Sequence, residues 1–129
     1  MKQNKLAVRI RATPKTILDF CLNPKNTPKW IDSIVYEEVN EWPVRVGTIF
    51  RNRNPRGEWA EYKVISLTAV SFEFASMNFP YHVRYVCKTV RNGFTELEYF
   101  EWMEQGEISE PFTIGMLRRL KAAVEAGAQ

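Results

Sequence analysis

One carboxyl group and four phenols are where this chain could do chemistry. Glu101 lies in a period-two run in which Leu97, Tyr99 and Glu101 share one face. A carboxyl on an apolar sheet face has its pKa raised by desolvation, unless a cation such as Arg51 or Arg84 pairs with it. A raised carboxyl pKa suits a general acid or base, which makes Glu101 the candidate catalytic residue. The competing reading leaves Glu101 hydrated, near the end of its strand at the mouth of the sheet. Tyr62, Tyr81, Tyr85 and Tyr99 fall on the same inward pattern. Each phenol buries a large apolar body and carries one hydroxyl that needs a partner.

Other chemistries find little support. His82 is the only histidine and is expected on the outer sheet face, opposite Trp102. It has no second histidine, nearby cysteine or acidic residue at ligand spacing, so no metal site is expected. Cys21 and Cys87 lack metal-type spacing and sit in apolar patterns. They read as two buried free thiols, with a disulfide between them as the alternative. There is no Ser-His-Asp order, no glycine-rich phosphate loop and no paired-cysteine motif, so no cofactor is expected. The tract Arg51-Asn52-Arg53-Asn54-Pro55-Arg56, with Trp59 nearby, holds the right groups for phosphate and base. Glu58 and Glu61 dilute its charge, and Asn-Pro-Arg-Gly reads as a solvated hairpin tip. No nucleic-acid partner is expected.

The elements that must position these residues follow from pattern. Leu6 to Ile10 reads as a strand. Thr13-Pro14 reads as a helix cap followed by proline at the first helical position. Lys15 to Cys21 then forms a short helix that Pro24 stops, and Pro28 to Asp32 a second short turn projecting Trp30 and Ile31. Strands are predicted over Ile34–Glu41, Gly47–Arg53, Glu58–Thr68, Phe72–Met77, Tyr81–Val90 and Phe94–Met103, with a bulge near Val64-Ile65. A closing amphipathic helix follows Pro111, capped by Ser109 or Glu110 and stopped at Gly127. It carries Phe112, Met116, Leu117, Leu120 and Val124 on one side.

Two hairpins fix faces. A three-residue loop, Arg91-Asn92-Gly93, as a type I turn with Gly93 left-handed, sets Tyr85 opposite Tyr99, Cys87 opposite Leu97 and Lys88 opposite Glu96. Tyr81, Val83, Tyr85, Leu97, Tyr99 and Glu101 then point inward, and Phe100 and Trp102 outward. The tip Asn54–Gly57 is predicted to pair Arg53 with Glu58 and Ile49 with Tyr62. That puts Ile49, Ala60, Tyr62 and Val64 on one face.

The chain has 129 residues, 45% hydrophobic and 26% charged, with a net charge of +3. That suits one domain, 1–129, with a sizeable core and no demand for a strongly charged partner. Met1 to Lys15 has no apolar signal region, and no run reaches membrane-spanning length. A cytoplasmic protein with no membrane insertion is expected.

The order of strand, Ala12-Thr13-Pro14 helix start, Pro28-Lys29-Trp30 turn and Val46-Gly47 strand start resembles the START/Bet v 1-like superfamily, in particular its polyketide cyclase/dehydrase-like (SRPBCC) branch. The resemblance implies an α+β helix-grip fold, with a curved antiparallel sheet of about seven strands wrapped around a long C-terminal helix. It also implies a pocket for a small apolar or aromatic ligand, such as a lipid, sterol or polyketide-like molecule. Its expected lining is Ile49, Tyr62, Val64, Phe72, Phe74 and Tyr81, then Val83, Tyr85, Leu97 and Tyr99, with Met116 and Leu120 from the helix. The loop from Met77 to Pro80 is the expected gate. Two further readings stand beside this one. The first is a cyclase or dehydratase working by proton transfer through Glu101 or a tyrosine. The second is an interaction module like the Aha1-type domains, using the outer sheet face with Phe100 and Trp102. The protein is expected to be a monomer or a homodimer.

Overall fold

The computed structural model describes residues 1–127. Its elements are β1 (Gln3–Ile10), α1 (Pro14–Leu22), a 3-10 turn (Thr27–Lys29), β2 (Tyr36–Val39), β3 (Ile49–Arg53), β4 (Trp59–Leu67), β5 (Ser71–Ser76), β6 (Tyr81–Thr89), β7 (Thr95–Met103) and α2 (Ile114–Gly127). The strands form one antiparallel sheet in the order β1-β7-β6-β5-β4-β3-β2. Each strand from β2 to β7 thus lies beside its sequence neighbour, and β1 closes against β7. One face of such a sheet must be covered. The cover is α2, through buried Leu117, Leu120 and Val124, together with α1, through Ile17, Leu18, Cys21 and Leu22. This is the expected α+β helix-grip arrangement.

Local chemistry sets the helix ends. Thr13 Oγ1 accepts the Thr16 N–H at 3.2 Å, and Pro14 opens α1 where no N–H is needed. At α2 the cap is Thr113, whose hydroxyl accepts the Met116 N–H at 3.3 Å. It is neither Ser109 nor Glu110, because the helix begins three residues beyond Pro111. Both cysteines are buried and unbonded.

The β6–β7 register is the predicted one: Tyr85 faces Tyr99, Cys87 faces Leu97 and Lys88 faces Glu96. The turn differs in kind. Asn92 and Gly93 both take positive φ, 60° and 78°, and the Phe94 N–H donates to the Arg91 carbonyl at 3.2 Å. Two left-handed central residues are the mark of a primed turn, which Asn-Gly accommodates without strain. The Lys88 ammonium reaches diagonally to Glu98 at 3.1 Å rather than across to Glu96. The bulge falls where the sequence placed it, between Val64 and Ser66.

The β3–β4 register is one residue off the prediction. Arg53 faces Trp59 and Ile49 faces Lys63. The cause is Asn54. Its backbone N–H donates to the Glu58 carbonyl, and its Oδ1 accepts the N–H groups of Arg56 and Glu58 at 3.0 and 2.9 Å. Glu58 is thereby absorbed into the loop. A shift of one exchanges the faces of a strand. Phe50 and Asn52 therefore point inward and are buried, while Ile49 and Arg51 point outward. Ile49 is not part of the concave face.

Leu97 is fully buried at the centre of the sheet. Leu97→Ala should cost about 2–5 kcal/mol in urea denaturation. Lys88→Ala, on the opposite face of the same hairpin, should stay within about 0.5 kcal/mol.

Candidate functional site

The concave face and its cover enclose a cavity of about 250 Å³. Of the residues expected there, Tyr62, Phe74, Tyr81, Val83, Tyr85 and Tyr99 line it. Val64, Phe72 and Leu97 lie behind that lining as closed core, each at most 1% exposed. Phe72 stacks on Tyr85 at 4.3 Å and packs edge-on to Phe74, so it supports the wall without forming it. Leu120 is wholly buried under α2, and Met116 packs beside the core. The helix side of the wall is formed instead by Cys21, Trp30, Ile31 and Phe112. The loop expected to gate the cavity leaves Met77 and Phe79 exposed and away from it. Exposed Ser33 and half-buried Asn54 mark the cavity's solvent edge.

Glu101 is neither hydrated nor paired with an arginine. It is fully buried. One carboxylate oxygen accepts the Tyr81 hydroxyl. The other accepts Asn4 Nδ2 at 2.8 Å and the Phe112 N–H at 2.7 Å. Asn4 also donates to the Phe112 carbonyl at 3.0 Å. Glu101 does not line the cavity. It orients Tyr81, which does. The phenols of Tyr62, Tyr81, Tyr85 and Tyr99 are all pushed above the usual range, chiefly by burial. They are therefore neutral hydroxyls throughout the physiological range.

The carboxyl that does line the cavity is Glu37, on β2. It accepts the Thr27 hydroxyl and, at 3.3 Å, Asn52 Nδ2. Burial pushes its pKa up to about 7, against the lowering effect of those two donors. Sequence reasoning missed Glu37 because the β3–β4 register was one residue out. In the true register Glu37 faces Asn52, an inward polar pair that a five-residue loop at Asn54 would have exposed. Trp30 adds a second polar feature. It is 2% exposed, lines the cavity, and its Nε1–H has no acceptor among the described residues. A buried donor left unsatisfied costs roughly 1–3 kcal/mol.

Outside this cavity, a second hollow of about 670 Å³ lies between α1 and the loop Trp42–Val44. It is larger but brings together no buried polar group, whereas binding sites combine apolar walls with convergent polar groups. On the outer face, Trp102 stacks on His82 at 5.0 Å and on Phe100 at 4.8 Å, with the Arg84 guanidinium 5.2 Å from the Trp102 ring. His82 is only 17% exposed and is held by Glu104 at 2.6 Å, so it is less of a surface residue than its sequence suggested. Among the described residues no cluster of three metal-ligating side chains occurs, and no helix is long and apolar enough to cross a membrane.

Glu37 has a consequence for stability. A carboxyl raised from 4.5 to about 7 holds its proton in the folded state after the unfolded chain has released it. Its contribution is therefore complete below about pH 4.5 and is lost as pH rises through 7. We expect wild-type stability to fall by roughly 2–3 kcal/mol between pH 5 and 8 relative to Glu37→Gln. Paired urea titrations across that range check this, and parallel profiles would remove Glu37 as the titrating group.

No protein-family model and no curated protein sequence matches the chain. Solved structures do. XoxI from Bacillus cereus superposes with a TM-score of 0.73 at 14% identity, covering 100% of this chain and 99% of that one. The Aha1 dimer from Colwellia psychrerythraea gives 0.70 at 18% identity, covering 100% of both chains. The di-domain ARO/CYC StfQ of the steffimycin biosynthetic pathway gives 0.68 at 14% identity, over 98% of this chain and 51% of its own. Identities this low speak to architecture alone, and on that point sheet order, covering helix and superpositions agree: this chain has the START/Bet v 1-like helix-grip fold.

Proposed function

We propose that this protein binds a small aromatic or apolar molecule in the cavity between the sheet and its helices. The observation that carries the reading is an aromatic-walled cavity with the polar side chains of Glu37 and Asn52 in its lining. Apolar burial supplies affinity, at about 25 cal/mol per Å² removed from water. The polar groups supply orientation. At about 250 Å³ the cavity is just below the ~300–1,000 Å³ of drug-sized sites. One or two rings fit that volume better than a sterol or a full polyketide.

A second reading is acid–base catalysis, as in a cyclase or dehydratase. It is favoured by one observation, that Glu37 lines the cavity with its pKa pushed up to about 7. A proton-transfer group works best with a pKa near the operating pH. In that reading Glu37 takes the role first given to Glu101, and Tyr81, whose proton is given to Glu101, offers a ligand its phenol oxygen as an acceptor. The likeness to an ARO/CYC protein is consistent with such chemistry. The Aha1-like reading rests on the outer Phe100–Trp102 stack and on the likeness to the Aha1 dimer.

Ala60 lines the cavity from β4. Ala60→Phe should fill it. We expect a neutral naphthalene dye to bind the wild type and to bind this variant at least about tenfold more weakly, the loss of one buried ring's worth of contact. Circular dichroism should show an unchanged fold. Equal dye affinity in the two folded proteins would count against the cavity as the binding site.

A further inference from the structure

We propose that the ligand carries a protonated amine seated on Glu37, an inference that rests on the small-molecule reading above. The argument begins with what lines the cavity. Among the described residues its wall includes one carboxyl, from Glu37, and no lysine, arginine or histidine. The nearby arginines of β3 are turned to the other face. Arg51 lies 3.9 Å from the centroid of the Trp59 ring and 3.7 Å from Glu38, and Arg53 also sits over Trp59.

Glu37 is met only by neutral donors. The Thr27 hydroxyl and the Asn52 amide take one position each. A carboxylate offers about four lone-pair sites, so acceptor capacity remains on the cavity side. The rest of that space is bounded by ring faces and edges. Phe50 packs edge-on to Phe74 at 4.9 Å, and Tyr62 edge-on to Tyr81 at 6.3 Å. An aromatic enclosure around a lone carboxyl favours a cation on two counts. The ammonium gains charge-assisted hydrogen bonds from the carboxylate and attraction from the π faces. A hydroxyl or carbonyl in the same place gains neither at full strength. An anion would meet electron-rich rings and a carboxyl with nothing to balance it.

Size narrows the class. About 250 Å³ is the room of roughly eight water molecules at ~30 Å³ each. A single aromatic ring with a short amine arm matches it.

Proton linkage gives this inference its signature. Thr27 from the 3-10 turn and Asn52 from β3 donate to Glu37, Tyr62 from β4 and Tyr85 from β6 feel its charge, and Cys21 from α1 lines the same cavity. Thr27 and Asn52 do not titrate, and burial holds the protons on the phenols and the thiol. Glu101 of β7 is occupied by Asn4, Tyr81 and Phe112. Glu37 is therefore the group that must lose its proton when an ammonium arrives, and binding should strengthen as pH rises through 7.

The test uses calorimetry on the full chain with 2-phenylethylamine and its neutral counterpart 2-phenylethanol, at pH 6 and pH 8. The amine should bind roughly 10- to 100-fold more tightly than the alcohol at pH 8. Its affinity should rise about tenfold from pH 6 to 8, while the alcohol's does not. Glu37→Gln should abolish the difference between the two compounds. If that variant fails to fold, the wild-type comparison and its pH slope decide alone. Equal affinities with a flat pH profile would overturn the amine inference and leave the small-molecule reading standing. Binding of neither compound would overturn both.

Discussion

The buried carboxylate of Glu101 is the constraint on which the architecture turns. It sits on β7 and gathers a side-chain amide from β1, a phenol from β6 and a backbone N–H from the segment leading into α2. A carboxylate taken out of water is tolerated only when its lone pairs are met, and removing a partner is costly. Three strands and the C-terminal segment are thus tied to a single point. Phe112, held there by its own N–H and carbonyl, stacks on Tyr99 at 4.4 Å and packs against Trp30. The start of α2 and the helix-side wall of the cavity are placed by that knot.

The two inward carboxyls differ by how fully they are satisfied. Glu101 is closed in by three donors and reaches no cavity. Glu37 is met by two donors, keeps a side towards open space, and has its pKa pushed up to about 7 by burial. A carboxylate enclosed by donors and away from the cavity is a structural tie. A partly satisfied one in a cavity has capacity left for a ligand or a proton. The same contrast separates Phe72 and Leu97, which are closed core, from Phe74 and Tyr85, which meet the open space beside them.

The aromatic network gives the cavity its rigidity. Phe72, Phe74, Tyr85, Tyr99, Phe112 and Trp30 form a chain of stacked and edge-on contacts with centroids 4.3 to 6.4 Å apart. Pairs of this kind add about 0.5–1.5 kcal/mol beyond area burial. They also keep neighbouring side chains from collapsing into the empty volume between them.

Much of this was legible in the sequence. Thr13-Pro14, Pro24 and the alternation over Tyr81–Val90 and Phe94–Met103 determine local structure through capping, missing donors and period two, and each acts within a few residues. The inward face of β6 and β7 followed, and with it Tyr81, Tyr85, Tyr99 and Glu101. The site's own chemistry was decided elsewhere. Whether Glu101 was wet or buried depended on Asn4, 97 residues away in the chain, and on the Phe112 N–H. Glu37 depended on Asn54, whose side chain draws one more residue into a loop and so turns Asn52 towards β2. A strand's sequence specifies two faces. Which of them meets the cavity is set by pairing across the sheet, and the pKa of a carboxyl there is set by how much water and how many donors the assembled structure leaves it.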